Sequence, residues 1–389
     1  MTVIVIVPAR GTERLARTAD LPLSLCPAPA DLADGAVAEL TTARHVPLGV
    51  AVLDRATGLW RVMSRGAEPH RAPDAAWAED RIARAARLRG AFGLDAPEAA
   101  YRLLNGAGDG TPGVVADLYA GWAVVAAAAP GLVAVATGIA EALVGRGSCR
   151  GAVVKLRARG RPADGGPVAT VGETPPARLE VREGPWRFEV HLTTGVNVGL
   201  FTDMREERAR IAGLARGRDV LNLFAYTGTL SIAAAAGGAA SVTSVDVSEG
   251  VLGWARDHIA MNGLDAGRHR TEARDAATFV AEAGARGERF DLVLVDPPSY
   301  SAARGAPFAI DRDYPALVSA AAGLMPPDGD LWLASNTRGF QLAGMAHAAL
   351  AAAGRRASVV AQGGLPPDYP TELADADARY LQTCLLRLA

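Results

Sequence analysis

The strongest constraint on this chain is the alternation in its second half. Short apolar runs bounded by turn residues exchange places with helical stretches: DVLNLF, GTLSIAAAAGG, SVTSVDV, EGVLGWARDHIAMNG, FDLVLVD, YPALVSAAAGLM and DLWLASN. Strands separated by helices of that length are joined through right-handed crossovers, which makes the sheet parallel and covers both its faces. The expectation is α/β, with a doubly wound, Rossmann-like domain over residues 191–389. Such sheets bind ligands outside the carboxyl ends of their strands, where the strand order reverses. The informative residues are therefore those that follow each strand.

Upstream the character differs. Residues 1–72 read as a small β module, with strands in VIVIVPA, AVAELTT, LGVAVLD and LWRVMS between Gly, Pro and Asp turns. Residues 73–190 read as a linker helix followed by a middle α+β domain, with a helix around Leu132 to Val144 and strands near GAVVKL, RLEVRE and WRFEVHL. The linker helix starts at Pro73 and Asp74, stops near Gly90, and carries Arg81, Arg84, Arg87 and Arg89 towards its end, either as a solvated face or as phosphate contacts. Arg157, Arg159 and Arg161 lie in RARGRPADGGP, which has the composition of a solvated hairpin loop.

Composition narrows the function classes. With 389 residues, 50% of them hydrophobic, the chain has ample material for cores, and a disordered chain is excluded. Lys and Arg number 40 against 42 for Asp and Glu, so any nucleic-acid site must be a local patch. Lys155 is the only lysine; arginine suits phosphates and base stacking better, although the bias reads first as a coding effect. No apolar run is long enough to cross a bilayer, and the N-terminus lacks a secretory signal's basic lead-in and cleavage site. A soluble, cytoplasmic protein without membrane contact is expected. Cys26, Cys149 and Cys384 are far apart and share no ligand spacing, so neither a disulfide framework nor a metal site is expected.

The strand ends carry the chemistry. The first strand of the α/β domain empties into Ala225-Tyr226-Thr227-Gly228-Thr229, a degenerate glycine loop without GxGxxG or a Walker lysine, which by itself could be a plain strand-to-helix turn. The second ends at Asp246, where a carboxylate can accept both hydroxyls of a ribose; helix capping by Asp246 or Ser248 is the plainer reading. Asp275 follows a short third strand and can accept from an adenine's exocyclic amine, or cap a helix. The fourth strand ends in Asp296-Pro297-Pro298-Ser299-Tyr300, the most specific run in the chain. Two prolines stop the ladder and turn carbonyls to the cleft, so the loop can hold a flat base for methyl transfer. That chemistry is mostly positioning and demands no metal.

With those motifs in order, the second half resembles class I S-adenosylmethionine-dependent methyltransferases. It is similar, more narrowly, to the bacterial 23S ribosomal RNA methyltransferases of the large-subunit I and K type, which carry a PUA-like N-terminal domain. The matching runs are YRLLNGAGDGTPGVVADLY, TGVNVGLFTDMREER, VLNLFAYTGTLS, SVDVSEGVLGWARDHIAMNGL and FDLVLVDPPSY, so the resemblance covers nearly everything after Tyr101. It implies an RNA base methyltransferase using S-adenosyl-L-methionine, with ribosomal RNA as partner; the sequence leaves the oligomeric state open between monomer and homodimer. It implies further that Phe201, Asp203 and Arg205 enclose the cofactor or the target base, although Asp203 could equally cap a helix. The implied cofactor set is completed by Asn222, Phe224, Ala225, Tyr226, Thr227, Gly228, Asp246, Val247, Asp275, Ala276 and Asp296. Catalysis falls to Asp296, Pro297, Pro298 and Ser299, and substrate binding to Tyr300, Asn336 and Arg338. The family commonly has Gln or His where Met204 stands, so that polar contact is absent here.

The resemblance divides between 5-methylcytosine and 7-methylguanine, and chemistry separates the two. Cytosine carbon 5 needs a thiolate to add first at carbon 6, whereas guanine N7 has an exposed lone pair. After the fifth strand this chain reads Leu333-Ala334-Ser335-Asn336-Thr337-Arg338-Gly339-Phe340, without a thiol and similar to the guanine branch. Asn336 reads as a base contact or a cap, and Arg338 as a phosphate contact, because pairing with N7 would block methylation. Cys384 reads as a buried residue of the last strand. The alternatives are cytosine C5 methylation, a small-molecule acceptor, and a catalytically silent RNA-binding assembly factor, against which the Asp296-Pro297-Pro298-Ser299 loop argues.

Overall fold

The computed structural model describes residues 3–66, 68–158, 165–298, 308–375 and 378–389. The chain packs into two compact units, one of Met1–Arg182, Val190–Val198 and Pro367–Ala378, the other of Glu183–Glu189, Gly199–Pro366 and Arg379–Ala389. The two segments expected as separate N-terminal and middle domains lie in one unit, each with its own sheet.

In the first unit, β1 (Val3–Ile6), α1 (Ala9–Leu15), β2 (Asp20–Pro22), β3 (Val37–Thr41), β4 (Pro47–Asp54) and β5 (Leu59–Arg65) form a sheet in the order β1-β3-β4-β5-β2. The reading of this segment as strands alone, a small β module, is corrected by α1: its ARGTERL sequence has too few turns to show a period, yet it buries Gly11 and Leu15. Next come α2 (Ala75–Ala91), β6 (Ala100–Asn105), β7 (Val114–Tyr119), β8 (Trp122–Ala127), α3 (Val133–Gly145), β9 (Gly151–Leu156) and β10 (Ala169–Gly172). Their sheet runs β10-β9-β8-β7-β6. The hairpin of β11 (Leu179–Glu183) and β12 (Trp186–Val190) carries the chain onward.

Helix α2 begins as its sequence suggests, with the Asp74 carboxylate accepting from the Trp77 amide at 2.8 Å. Its arginines divide. Arg84 and Arg87 are exposed, but Arg81 and Arg89 are buried, so neither a solvated face nor a phosphate contact describes these two. Arg89 is fully buried and makes a fork to Asp109 at 2.7 and 2.8 Å, with its Nε donating to the Arg102 carbonyl at 2.9 Å. A guanidinium on the packed face of a helix survives there only because a carboxylate and a carbonyl replace its water. Arg157 is exposed, while Arg159 and Arg161 lie outside the described residues.

The second unit is the alternating half. After α4 (Arg205–Leu214) come β13 (Asp219–Leu223), α5 (Thr229–Ala236), β14 (Ser241–Asp246), α6 (Glu249–Met261), β15 (His269–Ala273), α7 (Ala276–Ala285), β16 (Leu292–Val295), α8 (Ile310–Ala322), β17 (Asp330–Ser335), α9 (Leu342–Ala352), β18 (Ala357–Gly364) and β19 (Gln382–Leu388). The sheet runs β15-β14-β13-β16-β17-β19-β18, parallel except that β19 opposes both β17 and β18. This is the Rossmann-like α/β sheet expected from the sequence. Period-2 alternation fills both faces: Leu221, Leu223, Val293, Val295, Leu331 and Leu333 pack with α7, α8 and α9. Val220, Leu292, Leu294, Trp332 and Ala334 pack with α4 and α5 on the other. Among the described residues, no helix is long and apolar enough to cross a membrane.

Replacing Arg89 by Leu strands the Asp109 carboxylate in the interior. We expect a loss of about 3–5 kcal/mol in urea unfolding; a loss under 1 kcal/mol would show that the pair contributes little.

Candidate functional site

Strand order reverses at β13, whose neighbours β14 and β16 run parallel to it on either side. Three of the sequence-selected loops meet at that end. The chain leaves β13 through Phe224 and Tyr226, both non-glycine residues at positive φ (60° and 50°), before Gly228 at 74°. Left-handed backbone at residues with a Cβ costs roughly 1–2 kcal/mol each, so the loop must be held from outside. The holders are identifiable. The Ala225 amide donates to the Val245 carbonyl at 2.9 Å, and the Tyr226 amide to Asp246 Oδ2 at 2.9 Å. Thr227 Oγ1 donates to the Gly199 carbonyl at 2.6 Å. Gly228 is required twice, by its φ and because a Cβ there would sit 2.7 Å from Ala255 Cβ on α6.

Asp246 is not a helix cap. One oxygen fixes the glycine loop and the other accepts from the Ser248 amide at 3.0 Å, while Ser248 stands at the helix N-cap without a side-chain bond. The carboxylate is thus aimed and half-buried, with exposed Val247 beside it. Asp275 does cap: its Oδ1 accepts from the Thr278 amide at 2.9 Å at the start of α7, and Ala276 packs into the core behind it. Asn222, expected in the cofactor set, directs its side chain to α5. It is buried and donates to Ser231 Oγ of α5 at 2.9 Å, because alternation along β13 directs it inward.

At the end of β16, desolvation first and then the negative charge of Asp203 push the Asp296 carboxyl up to about 7. Buried Tyr314 of α8 fixes the ends of β16 and β17, its hydroxyl lying 3.0 Å from the Val295 carbonyl and 2.9 Å from that of Ala334. Pro297 is buried and Pro298 half-buried; Ser299 and Tyr300 lie outside the described residues. Asp203 precedes α4 and accepts from the Tyr380 hydroxyl at 2.6 Å, so it does not cap that helix. Phe201 is exposed and tilts against Tyr226 at a ring separation of 5.5 Å; Phe224 meets Phe308 edge-on at 5.2 Å. Arg205 is half-buried at the start of α4, and Met204 is buried in the core beneath.

After β17, Asn336 and Arg338 are exposed in a turn closed by the Phe340 amide on the Thr337 carbonyl at 3.2 Å. Cys384 of β19 pairs in register with Leu333 and belongs to the apolar cluster, where burial pushes its thiol up. Sequence reading missed the residues that brace the site. Arg208 of α4 is buried, pairs bidentately with Glu183 and donates to the Phe201 carbonyl at 2.8 Å. Glu207 accepts from Trp332 Nε1 at 2.7 Å and Thr383 Oγ1 at 3.0 Å. The run REER showed only an acidic and basic helix start, and the partners lie too far along the chain for any local pattern to signal them.

The arrangement fits an adenosyl cofactor. A carboxylate is aimed beside a tight glycine turn, apolar Phe201 and Val247 are exposed near it in the sequence of loops, and a carboxyl that ionises near neutrality stands at the end of β16. Comparisons with known proteins agree. A family model described as S-adenosylmethionine-dependent methyltransferase matches residues 137–378. A 167-residue stretch is 41% identical to ribosomal RNA large subunit methyltransferase K/L of Chromohalobacter salexigens, covering 42% of this chain and 22% of that protein. A 164-residue stretch is 38% identical to ribosomal RNA large subunit methyltransferase K of Neisseria meningitidis serogroup B, covering 42% and 46%. The chain therefore matches less than half the length of these relatives. The crystal structure of SMU.776 complexed with SAH superimposes with a TM-score of 0.86 over 99% of this chain and 100% of that one, at 22% identity. An S-adenosylmethionine-dependent methyltransferase from Agrobacterium tumefaciens gives 0.56 at 21% identity, over 75% and 90%. At those identities the likeness is one of fold.

Two outcomes are expected. A carboxyl with a raised folded-state value binds more protons folded than unfolded, so the wild type loses stability as pH rises from about 4 towards 7. Asp296→Asn removes that loss, so its melting temperature should exceed the wild type's more at pH 8 than at pH 4; an equal difference at both would refute the assignment. Asp246→Ala should weaken S-adenosylhomocysteine binding about 10- to 100-fold, the worth of one or two hydrogen bonds to a charged group. Calorimetry checks this, and an unchanged affinity would remove Asp246 from the site.

Proposed function

The chain belongs to the S-adenosylmethionine-dependent methyltransferase family, and we propose that it methylates a base of large-subunit ribosomal RNA, with guanine N7 of 23S RNA as the acceptor atom. The observation that carries this reading is the Asp296-Pro297-Pro298 end of β16, set beside the glycine loop and Asp246 at the strand-order reversal. Similarity to the ribosomal RNA methyltransferases of Chromohalobacter and Neisseria supports the substrate class. The choice of atom is supported by Leu333–Phe340, which holds no cysteine, and by Cys384, buried among apolar side chains with its thiol pushed up.

In this reading Asp246 takes the ribose hydroxyls, the backbone of Ala225–Gly228 passes close to the cofactor, and Asp275 reaches the adenine amine with the oxygen its cap does not use. Phe201, Val247 and Phe224 form apolar walls, and Arg205 stands at the rim with Asp203. When bound, S-adenosyl-L-methionine supplies an electrophilic methyl carbon, which guanine N7 takes with its lone pair as the sulfur keeps the electrons of the broken bond. No proton moves in that step. Asp296 answers charge instead, its ionised form offsetting the positive charge that develops on the base. Pro297, Pro298, Ser299 and Tyr300 hold the base in line; Asn336 contacts its edge and Arg338 a phosphate. The PUA-like segment 1–72 and the middle segment 73–190 act as the RNA-gripping modules beside the catalytic segment 191–389, in a cytoplasmic enzyme.

Nucleoside mapping by mass spectrometry of 23S RNA from parent, deletion and complemented strains tests this. Loss and recovery of one 7-methylguanosine is expected. Loss of a 5-methylcytidine would move the acceptor to cytosine, and persistence of every modification would overturn the RNA reading. Binding to the RNA substrate should also weaken steeply with salt, unlike a small-molecule complex.

A further inference from the structure

Helix α6 braces the glycine loop from behind through one side chain that the proposed chemistry does not use. His258 is completely buried. Its Nε2 lies 2.9 Å from the backbone N–H of Glu189, and its Nδ1 lies 2.9 Å from the carbonyl oxygen of Thr227. These two partners fix the tautomer. An amide N–H can only donate, so Nε2 carries the lone pair; a carbonyl can only accept, so Nδ1 carries the proton.

The neighbours make the clamp rigid. Phe188 meets the imidazole edge-on at 5.4 Å, and Trp254, one turn earlier on α6, stacks at 6.4 Å. Trp254 Nε1 is itself held by the Glu189 carboxylate at 2.9 Å. Gly199, which accepts the Thr227 hydroxyl, lies so close to Trp254 that a Cβ would come within 2.9 Å of the ring. Ala255, on the same face of α6 as His258, is the residue against which Gly228 packs. Thr227 is therefore gripped at its carbonyl by His258 and at its hydroxyl by Gly199, directly after Tyr226, whose left-handed backbone is unfavourable by itself.

We propose that His258 is a positioning residue for the cofactor: as a neutral imidazole protonated at Nδ1, it fixes Thr227 and thereby holds Ala225–Gly228 in the shape that receives S-adenosylmethionine. This rests on the reading that the glycine loop is part of the cofactor site. An imidazolium would point a second N–H at the Glu189 amide and break the clamp. The groups facing His258 are the Glu189 and Asp257 carboxylates and the Thr227 carbonyl, all of which favour protonation, but burial outweighs them and holds its value below the ordinary one. A base depressed in this way stays neutral in the folded protein at its ordinary value of about 6.5, where holding it neutral already begins to cost stability, and gives up the clamp only as pH falls further, through its lowered folded value.

The test uses the full chain as wild type, His258→Phe and His258→Gln, with calorimetric titration of S-adenosylhomocysteine from pH 8 to pH 5 and hydrogen exchange of the 225–228 amides without ligand. Phe fills the ring volume but has no donor or acceptor, so the loop amides should exchange at least about 10-fold faster and affinity should fall about 10-fold. Gln carries both groups on one amide and should recover most of each. Wild-type affinity should decline more steeply at acid pH than that of the Gln variant. Wild-type loop exchange in the Phe variant would reduce His258 to packing and overturn the proposal. A loosened loop with unchanged affinity would overturn it differently, by showing that the loop is not the cofactor site. Should the Phe variant fail to fold, the Gln variant decides: the same acid decline as wild type would refute the clamp.

Discussion

Parallel pairing of β13 on both its sides governs the cofactor end of this protein. Asn222 is opposite Ser244 on one neighbour and Leu294 on the other, so the chain must exit β13 and β16 in loops that diverge over opposite faces. Divergence opens a crevice and leaves strand-end backbone groups without ladder partners. The structure accounts for them one by one. The Ala225 amide crosses to Val245, the Arg274 amide to the Asp246 carbonyl at 2.9 Å, and the single Tyr314 hydroxyl proton is shared between the carbonyls of Val295 in β16 and Ala334 in β17. The loop residues are thereby aimed before any ligand arrives, which is what positioning chemistry requires.

Charge is distributed to serve the same end. Away from the crevice, buried or half-buried carboxylates are matched with guanidinium groups: Glu183 with Arg208, Asp109 with Arg89, Asp330 with Arg218 and Arg387. Pairing holds Asp330 below the usual carboxylate range despite its burial. At the crevice the balance is reversed, since Asp296 faces the carboxylate of Asp203 and its ionisation is disfavoured. Asp330, paired with two guanidinium groups, is held in its charged form, and the carboxyl at the end of β16 is poised to acquire its charge near neutrality.

How much of this was legible follows the range of the interactions. The parallel sheet was readable because each strand and helix is a local pattern, and the alternation of Leu221 and Leu223 against Val220 follows from the pleat alone. The loops after β13, β14 and β16 were readable because turn residues and carboxylates stand directly after apolar runs. Asn222 stands in the cofactor set only through the resemblance; that period 2 sends its side chain inward to Ser231 depends on a partner on the next helix. Arg89 was misread because a basic residue near a helix end suggests water or the helix dipole; its Asp109 partner lies in a different element. Arg208, Glu207 and His258 were invisible for the same reason. Each one's side-chain or strand partners, Glu183, Trp332, Thr383, Glu189 and Thr227, lie far along the chain, and nothing in REER or RDHI marks a side chain as buried.

The electrostatics of the crevice bear on the acceptor atom. Under the proposed reaction the positive charge does not vanish: it passes from sulfur to the guanine ring, and no proton leaves during transfer. A carboxyl raised by burial and by Asp203 ionises most readily when a cation is beside it, and it then stays paired as that cation moves over a bond length or two. Cytosine methylation makes a different demand, a thiolate on the base and a proton acceptor afterwards. Cys384 is placed against Leu333 in an apolar cluster where the neutral thiol is favoured, which is why the proposed reaction takes an acceptor that brings its own lone pair.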